Sequence, residues 1–444
     1  MSQTPSKPAR NGLSDAYRAV WRWHFYAGLF VMPVLMLMAL TGAMYLFKPE
    51  IEDAVYRDMA VVQPGARTVS PDRWVASAER NGGTASSVLV SDRPDRAVRV
   101  TVRQDGESRI AFVDPYSAAL NGTVQGDGVM GVVKGLHSLT LLGKPFNILV
   151  EIVAGWAIIL VATGIFLWWP RWRDAAVAVP RAGDPARRPF WRDLHAVTGL
   201  YAGGVIVFLA LTGMPWSAVW GDKFLNVVRE SGLGRPAAPP AASPWAHGEG
   251  HDAPAGVGWT MENAVMHANG DHSGHVMPSL SRVIRTARAE DMPLPYTVSI
   301  PSDPTLAYTV AHAAVRAEDA RSLYVDGVTG AVKADIRWSQ FGVGAKAFEW
   351  GIAVHQGTQY GWANRIVMLS GCIAVWLLGI SGLIMWWKRR PSRGGLGAPT
   401  APPGPRARAA VLGIVLPLAV LFPLTGLSLI AALALDWTIR RVRR

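Results

Sequence analysis

Four histidines stand at the ends of hydrophobic runs, and their spacing is regular. His24 lies four residues before Gly28, at the start of an apolar run that closes Leu40-Thr41-Gly42. His195 lies four residues before Gly199, at the start of a run that closes Leu211-Thr212-Gly213. Every member of the second set follows its counterpart by 171 residues. His137 and His355 are 218 residues apart, as are Thr140/Thr358, Gly143/Gly361, Gly164/Gly382, Trp168/Trp386 and Arg171/Arg389. An imidazole at membrane depth is costly and tends to be functional.

Matched pairs of histidines on repeated helices can face each other across a bundle. Two facing imidazoles supply what a six-coordinate haem needs, one nitrogen on each side of the iron plane. The pairs His24/His195 and His137/His355 would then hold two haems, one per leaflet. Glycines near the inner pair leave room for a flat macrocycle, and Arg22 and Arg192 are placed to meet its propionates. Zinc or copper on the same histidines is the rival reading; with no carboxylate or thiolate cluster nearby, each pair makes a poor closed metal site. The blander alternative is a hydrogen-bonding core histidine, with the glycines serving helix packing. That all four histidines fall into pairs at matching depths favours ligation. The pattern singles out no catalytic side chain.

A second set of donors lies in a Pro-, Gly-, His- and Met-rich stretch, about 236–277. His247, His251, His267, His272, His275 and Met277 combine nitrogen and thioether donors, which suit copper and similar metals. Their spacing matches no fixed-geometry site, so a solvated loop is the competing reading.

The elements that would position these residues follow from composition. Half of the 444 residues are hydrophobic, only 17% are charged, and the nineteen Trp crowd at the ends of apolar runs. That is the profile of a membrane protein with polar parts. The net charge of +12 comes from Lys/Arg clusters beside those runs, and no basic groove motif or recognition helix points to nucleic acid. The single Cys372 lies in an apolar run, cannot form an intramolecular disulfide, and reads as a packing residue.

The expected architecture is an α-helical membrane bundle with four core spans, a C-terminal fifth hydrophobic segment and two external α+β domains, built by internal duplication. A tail (1–20) precedes helix one (21–47), a first domain (48–136) and helix two with its lead-in (137–169). A loop (170–190) leads to helix three (191–218), a second domain (219–352) carrying the insert, and helix four with its lead-in (353–387). A basic linker (388–408), a fifth segment (409–435) and a basic tail (436–444) complete the chain. The fifth segment is expected to span, with a re-entrant path allowed by Pro417 and Pro423. Positive charge on the tail, on the 170–190 loop and on the linker puts these in the cytoplasm and both domains outside, in a periplasm-like space. A fifth span would place Arg440, Arg441, Arg443 and Arg444 outside, against that rule.

These residues resemble the PepSY-associated transmembrane proteins, which include iron-regulated membrane proteins and haem-containing siderophore reductases. The likeness rests on His-x-x-x-Gly opening helix one, Leu-Thr-Gly closing it, a strand-Asp-x-x-x-Gly turn outside, Leu136-His137-Ser138 before helix two and a Trp-Trp end. It covers nearly the whole chain. It implies PepSY-like external domains, b-type haem on His24, His195, His137 and His355, and electron delivery to a ferric siderophore or other metal chelate at a bacterial inner membrane. No Gly-x-Gly-x-x-Gly follows a strand, and the cytoplasmic loops are too short for a flavin or nicotinamide domain. The electron donor is therefore expected to be a separate cytoplasmic reductase or a membrane quinol. The His/Met-rich insert departs from the family pattern. A peptide-binding membrane module and a metal-handling protein remain the alternative functions.

Overall fold

The computed structural model describes residues 11–169, 183–217, 219–234, 277–303, 306–390 and 405–442. The chain divides into two compact units, one from Met1–Leu46, Gly135–Leu225 and Arg365–Arg444, the other from Phe47–Lys134 and Asn226–Asn364. The helices, in chain order, begin with α1 (Asn11–Tyr45), α2 (Lys48–Val55), α3 (Arg57–Ala60), α4 (Pro71–Ala78), α5 (Gly128–His137), α6 (Asn147–Trp168) and α7 (Arg188–Gly213). There follow α8 (Trp220–Glu230), α9 (Leu280–Ala289), α10 (Val343–His355), α11 (Gly361–Trp387), α12 (Pro405–Leu421) and α13 (Pro423–Val442). The strands are β1 (Thr84–Val90), β2 (Val98–Gln104), β3 (Glu107–Val113), β4 (Leu120–Gln125), β5 (Tyr296–Ser299), β6 (Tyr308–His312), β7 (Arg321–Val325) and β8 (Val332–Arg337).

The first unit is a helical bundle. Among the described residues four helices are long and apolar enough to cross a membrane: Asp15–Tyr45, Asn147–Trp168, Arg188–Trp216 and Gly361–Trp387. They coincide with the four expected core spans. Apolar surroundings cannot satisfy backbone polar groups, so such runs close their hydrogen bonds internally as helices. At about 1.5 Å per residue even α6, the shortest, is as long as a hydrocarbon core of roughly 30 Å. Helix α1 continues through Pro33. Helix α6 packs on α1, α7, α12 and α13. Its Val153, Trp156, Ala157 and Ile159 are buried accordingly.

Residues 409–435 do not form the single span expected of them. The helix stops after Leu421 and restarts at Pro423, which has no N–H to continue the ladder. Val411 and Trp156 line the same small apolar cavity, and Trp156 Nε1 donates to Ser428 Oγ at 2.8 Å. A straight helix would hold Val411 and Ser428 about 26 Å apart. Val411 borders the cavity that Trp156 lines, and Ser428 bonds Trp156, because the chain turns back at Phe422. The turn is held where Thr425 sits against Gly155, whose added Cβ would lie 2.0 Å from Thr425 Oγ1.

The second unit is built on one eight-stranded antiparallel sheet, in the order β4-β3-β2-β1-β5-β6-β7-β8. The segments expected as two separate α+β domains thus contribute four strands each to a single sheet. A four-stranded meander alone leaves an edge of unpaired backbone groups. Pairing β1 with β5 removes one such edge from each half, with Val88 opposite Val298. Helices α4 and α9 cover one face, and Trp74, Val100, Val283, Ile284, Val298 and Val310 share one core across the join. The order is mirrored about that join, and so is the detail: register shifts fall at Phe112/Val113 and at Tyr324/Val325. Asp114 and Asp326 follow the third strand of each half, and each accepts backbone N–H bonds in its turn, Asp114 from Tyr116 and Asp326 from Val328 and Thr329.

The first turns of α4 and α9 hold each other. Asp72 accepts from the Ser279 hydroxyl at 3.0 Å and the Ser281 amide at 3.2 Å, and also from the Ser281 hydroxyl. Burial disfavours the charged carboxyl, but the bonds from Ser281, Ser279 and the Leu280 amide outweigh it and hold Asp72 below its ordinary value. A depressed folded-state value adds stability above the ordinary aspartate range, and that stability is lost as pH falls through it. Asp72→Asn is therefore expected to unfold at lower temperature than wild type at pH 7, with the gap closing below about pH 4. Thermal unfolding followed by circular dichroism checks this; a gap of equal size at pH 7 and pH 3 contradicts it.

Candidate functional site

Three of the four repeated histidines lie in the bundle unit, and each meets a hydroxyl that stands directly before a glycine on another helix. His24, on α1, places Nδ1 2.8 Å from Thr163 Oγ1 on α6. His195, on α7, places Nδ1 3.0 Å from Ser381 Oγ and 3.1 Å from the Leu378 carbonyl on α11. His137, at the end of α5, places Nδ1 3.0 Å from Thr41 Oγ1 on α1.

One direction for these bonds is favoured by the carbonyl partners of the hydroxyls. Each has one hydrogen, directed at a carbonyl of its own helix: Thr163 to Ile159 at 2.7 Å, Ser381 to Leu377 at 2.5 Å, Thr41 to Leu37 at 2.8 Å. Only lone pairs then face the imidazoles, so each histidine donates through Nδ1–H. The Leu378 carbonyl, a pure acceptor, requires the same of His195. In all three rings the remaining lone pair is on Nε2. This is the arrangement of a metal-ligating imidazole, whose second nitrogen is tied to an acceptor that sets tautomer and orientation.

The structure brings His24 and His195 together, with ring centroids 6.3 Å apart and ring planes at 86°. Two metal–imidazole bonds of about 2.0–2.1 Å, plus a ring radius at each end, put two centroids roughly 6 Å apart. The pair therefore has the separation needed to hold one metal between two Nε2 atoms. Glycines complete the surroundings in two ways. Gly164 and Gly382 adjoin the imidazoles, an added Cβ lying 3.5 Å from His24 Cε1 and 3.8 Å from His195 Cε1. Gly28 and Gly199, one turn after each histidine, are not close-packing residues. An added Cβ would meet only Leu160 at 3.9 Å and only Leu378 at 3.6 Å, which is ordinary van der Waals contact, so close helix approach does not require glycine at either position.

The other expected residues are placed as follows. The Arg22 guanidinium lies 5.0 Å from the Tyr26 ring centre. Arg192 is bound to its neighbour Asp193 by Nε at 3.0 Å and Nη2 at 2.9 Å. His355 is the last residue of α10 and belongs to the second unit. His247, His251, His267, His272 and His275 lie outside the described residues, and Met277 is exposed. Among the described residues no group of three or more His, Cys, Asp and Glu side chains could hold a metal ion. Cys372 packs with Ala39, Ala157, Ile206 and Val375.

Sequence reasoning missed three residues. Thr163 and Ser381 stand 218 residues apart, so the repeat that pairs Gly164 with Gly382 also pairs the hydroxyls. Arg389 reaches the helix that carries His24, its guanidinium 4.7 Å from the Trp21 ring centre and 5.2 Å from that of Phe25.

The fold and site together define a helical membrane protein with a sheet-forming unit inserted between its spans and histidines held between its helices. The chain belongs to the family described as the PepSY-associated TM region, whose model matches residues 21–389. Comparison with curated proteins finds no match.

If Thr163 is the acceptor that orients His24, Thr163→Val leaves Nδ1–H without a partner and costs about 1–3 kcal/mol. Thr163→Ser keeps the oxygen and is expected to remain near wild type. Thermal unfolding of the full-length protein in detergent compares the two; equal losses would remove the hydrogen bond from the account.

Proposed function

We propose that the protein is an inner-membrane b-type haem protein that passes electrons outward to reduce a ferric siderophore or similar chelate. The observation that carries the reading is the His24/His195 pair: centroids 6.3 Å apart, each Nδ1 engaged as a donor, each Nε2 left for a ligand. The residues fit the group. Gly28 and Gly199 put no side chain one turn beyond each histidine, so nothing projects from those positions against a flat macrocycle. Haem bound there would supply reversible one-electron transfer. The chain's own part is to fix both imidazoles in one tautomer and orientation through Thr163 and Ser381.

The repeat in the sequence extends the reading to His137 and His355 as ligands of a second haem, and His137 has the same kind of hydroxyl partner as the inner pair, Thr41. We read the mirrored strand order and matching hairpin irregularities as the product of a duplicated helix–domain–helix unit. Arg389, rather than the Asp193-bound Arg192, is the better placed cation for a propionate beside His24. The donor is a separate cytoplasmic reductase or a quinol, because no nicotinamide or flavin motif is in the chain.

Orientation follows from charge. With the N-terminus and the 388–408 linker in the cytoplasm, the sheet unit is periplasmic. A fifth span would carry the basic 436–444 tail outward. The turn at Phe422 supports its return toward the linker's side, which removes the conflict with the positive-inside rule.

An absorption spectrum of the purified protein tests the proposal. A Soret band that shifts on dithionite is expected, with two haems per chain. His24→Ala combined with His195→Ala should lower this to one. A wild-type protein without a Soret band, or undiminished haem after replacing all four histidines by alanine, would refute the reading.

A further inference from the structure

We infer that Asn147 and Glu151 form a binding site for a monovalent alkali cation in the bundle, at the end of α6 that follows His137. The inference is independent of what His24 and His195 bind. Glu151 is 0% exposed and Asn147 4%, inside a helix apolar enough to span a membrane. Glu151 Oε2 accepts from the amides of Val219 at 3.2 Å and Trp220 at 3.1 Å, at the start of α8. That bonding explains one carboxylate oxygen as a helix cap. The other, Oε1, has no hydrogen-bond partner.

Asn147 has the same half-satisfied character. Its Nδ2 donates to the Ser138 carbonyl at 3.1 Å, which ties it to the residue after His137, while Oδ1 has no partner. Asn147 and Glu151 are one turn apart on the same face of α6. Side chains on a helix lean toward its N-terminus, so Glu151 extends over the turn that carries Asn147.

Charge decides what fills the site. The start of α8 offers the carboxylate the equivalent of about half a positive charge. Among the described residues no Lys, Arg or His pairs with Glu151. Leaving a carboxylate stripped of water and incompletely compensated is expensive, and breaking such compensation costs several kcal/mol. A bound water would satisfy the two oxygens as acceptors but not the charge. Both orphaned atoms are oxygens, one anionic and one neutral, with no nitrogen or sulfur donor, and this is the donor set of a hard cation. A single carboxylate, already half offset by the helix, matches one positive charge. The multi-carboxylate cage that a divalent ion favours is absent among the described residues.

The test uses the full-length protein in detergent, with unfolding followed by tryptophan fluorescence. NaCl and KCl are compared with choline chloride at equal ionic strength. The unfolding temperature is expected to rise and saturate with Na+ or K+ but not with choline. Glu151→Gln, which keeps a carbonyl for the two α8 amides and loses the charge, should abolish this dependence, and Asn147→Ala should weaken it. Equilibrium dialysis against radioactive Na+ and Rb+ is expected to retain one ion per wild-type chain, and it decides the matter if Glu151→Gln does not fold. An equal rise in choline chloride, an alkali response that survives Glu151→Gln, or no retained ion would each overturn the site and leave a bound water or a protonated Glu151 bonded to Asn147.

Discussion

A hydroxyl has one hydrogen, and the organisation of the bundle depends on where three of them point. Thr41, Thr163 and Ser381 each direct it at a carbonyl of their own helix. The neighbouring imidazole must then be the donor, and its protonation pattern follows from the helix, with no other group needed. This bond also joins helices, since it links α1 to α6, α7 to α11 and α5 to α1. A glycine follows each hydroxyl and lies beside the ring. One two-residue motif therefore performs tautomer selection, orientation and helix pairing together.

The same scarcity of partners in an apolar environment explains the rest of the bundle. Polar atoms between spans are either matched or conspicuous. Trp156 finds Ser428, and Trp376 Nε1 finds the Met36 carbonyl at 3.0 Å. Glu151 and Asn147 are matched on one side only, which is what makes them informative. In the sheet unit the corresponding constraint is the strand edge. Two meanders with an open edge each are more stable as one sheet, and the apolar core crosses the join with them.

Much of this was legible in the chain. The four core spans follow from apolar runs of sufficient length, β2, β5 and β6 from alternating apolar residues, and β3 and β7 from short apolar runs ahead of an Asp and a Gly turn. Strands β1, β4 and β8 did not stand out. The pattern of β1 is blurred by Ser86 and Ser87, and β4 carries Asn121 and Gly122, which read as a turn. Their strand state depends on neighbours, because a polar or glycine-containing segment becomes a strand when ladders on both sides hold it. The turn within the fifth segment is likewise set by neighbours: hydropathy records that 409–435 is apolar but not that Thr425 sits against Gly155 and Ser428 bonds Trp156.

The sequence by itself determined the membrane class, the repeated histidines and the glycines one turn beyond them, because period and spacing are properties of the linear chain. It contained the hydroxyl partners too, but nothing in spacing distinguishes Thr163 from any other threonine in an apolar run. Only the tertiary structure decided that His24 reaches Thr163, that His195 lies 6.3 Å from it, and that Glu151 has one oxygen matched and one left over. These are contacts between segments more than a hundred residues apart or, for Glu151, nearly seventy. Such contacts depend on how the helices pack, and packing is set by the shapes of all the side chains at once.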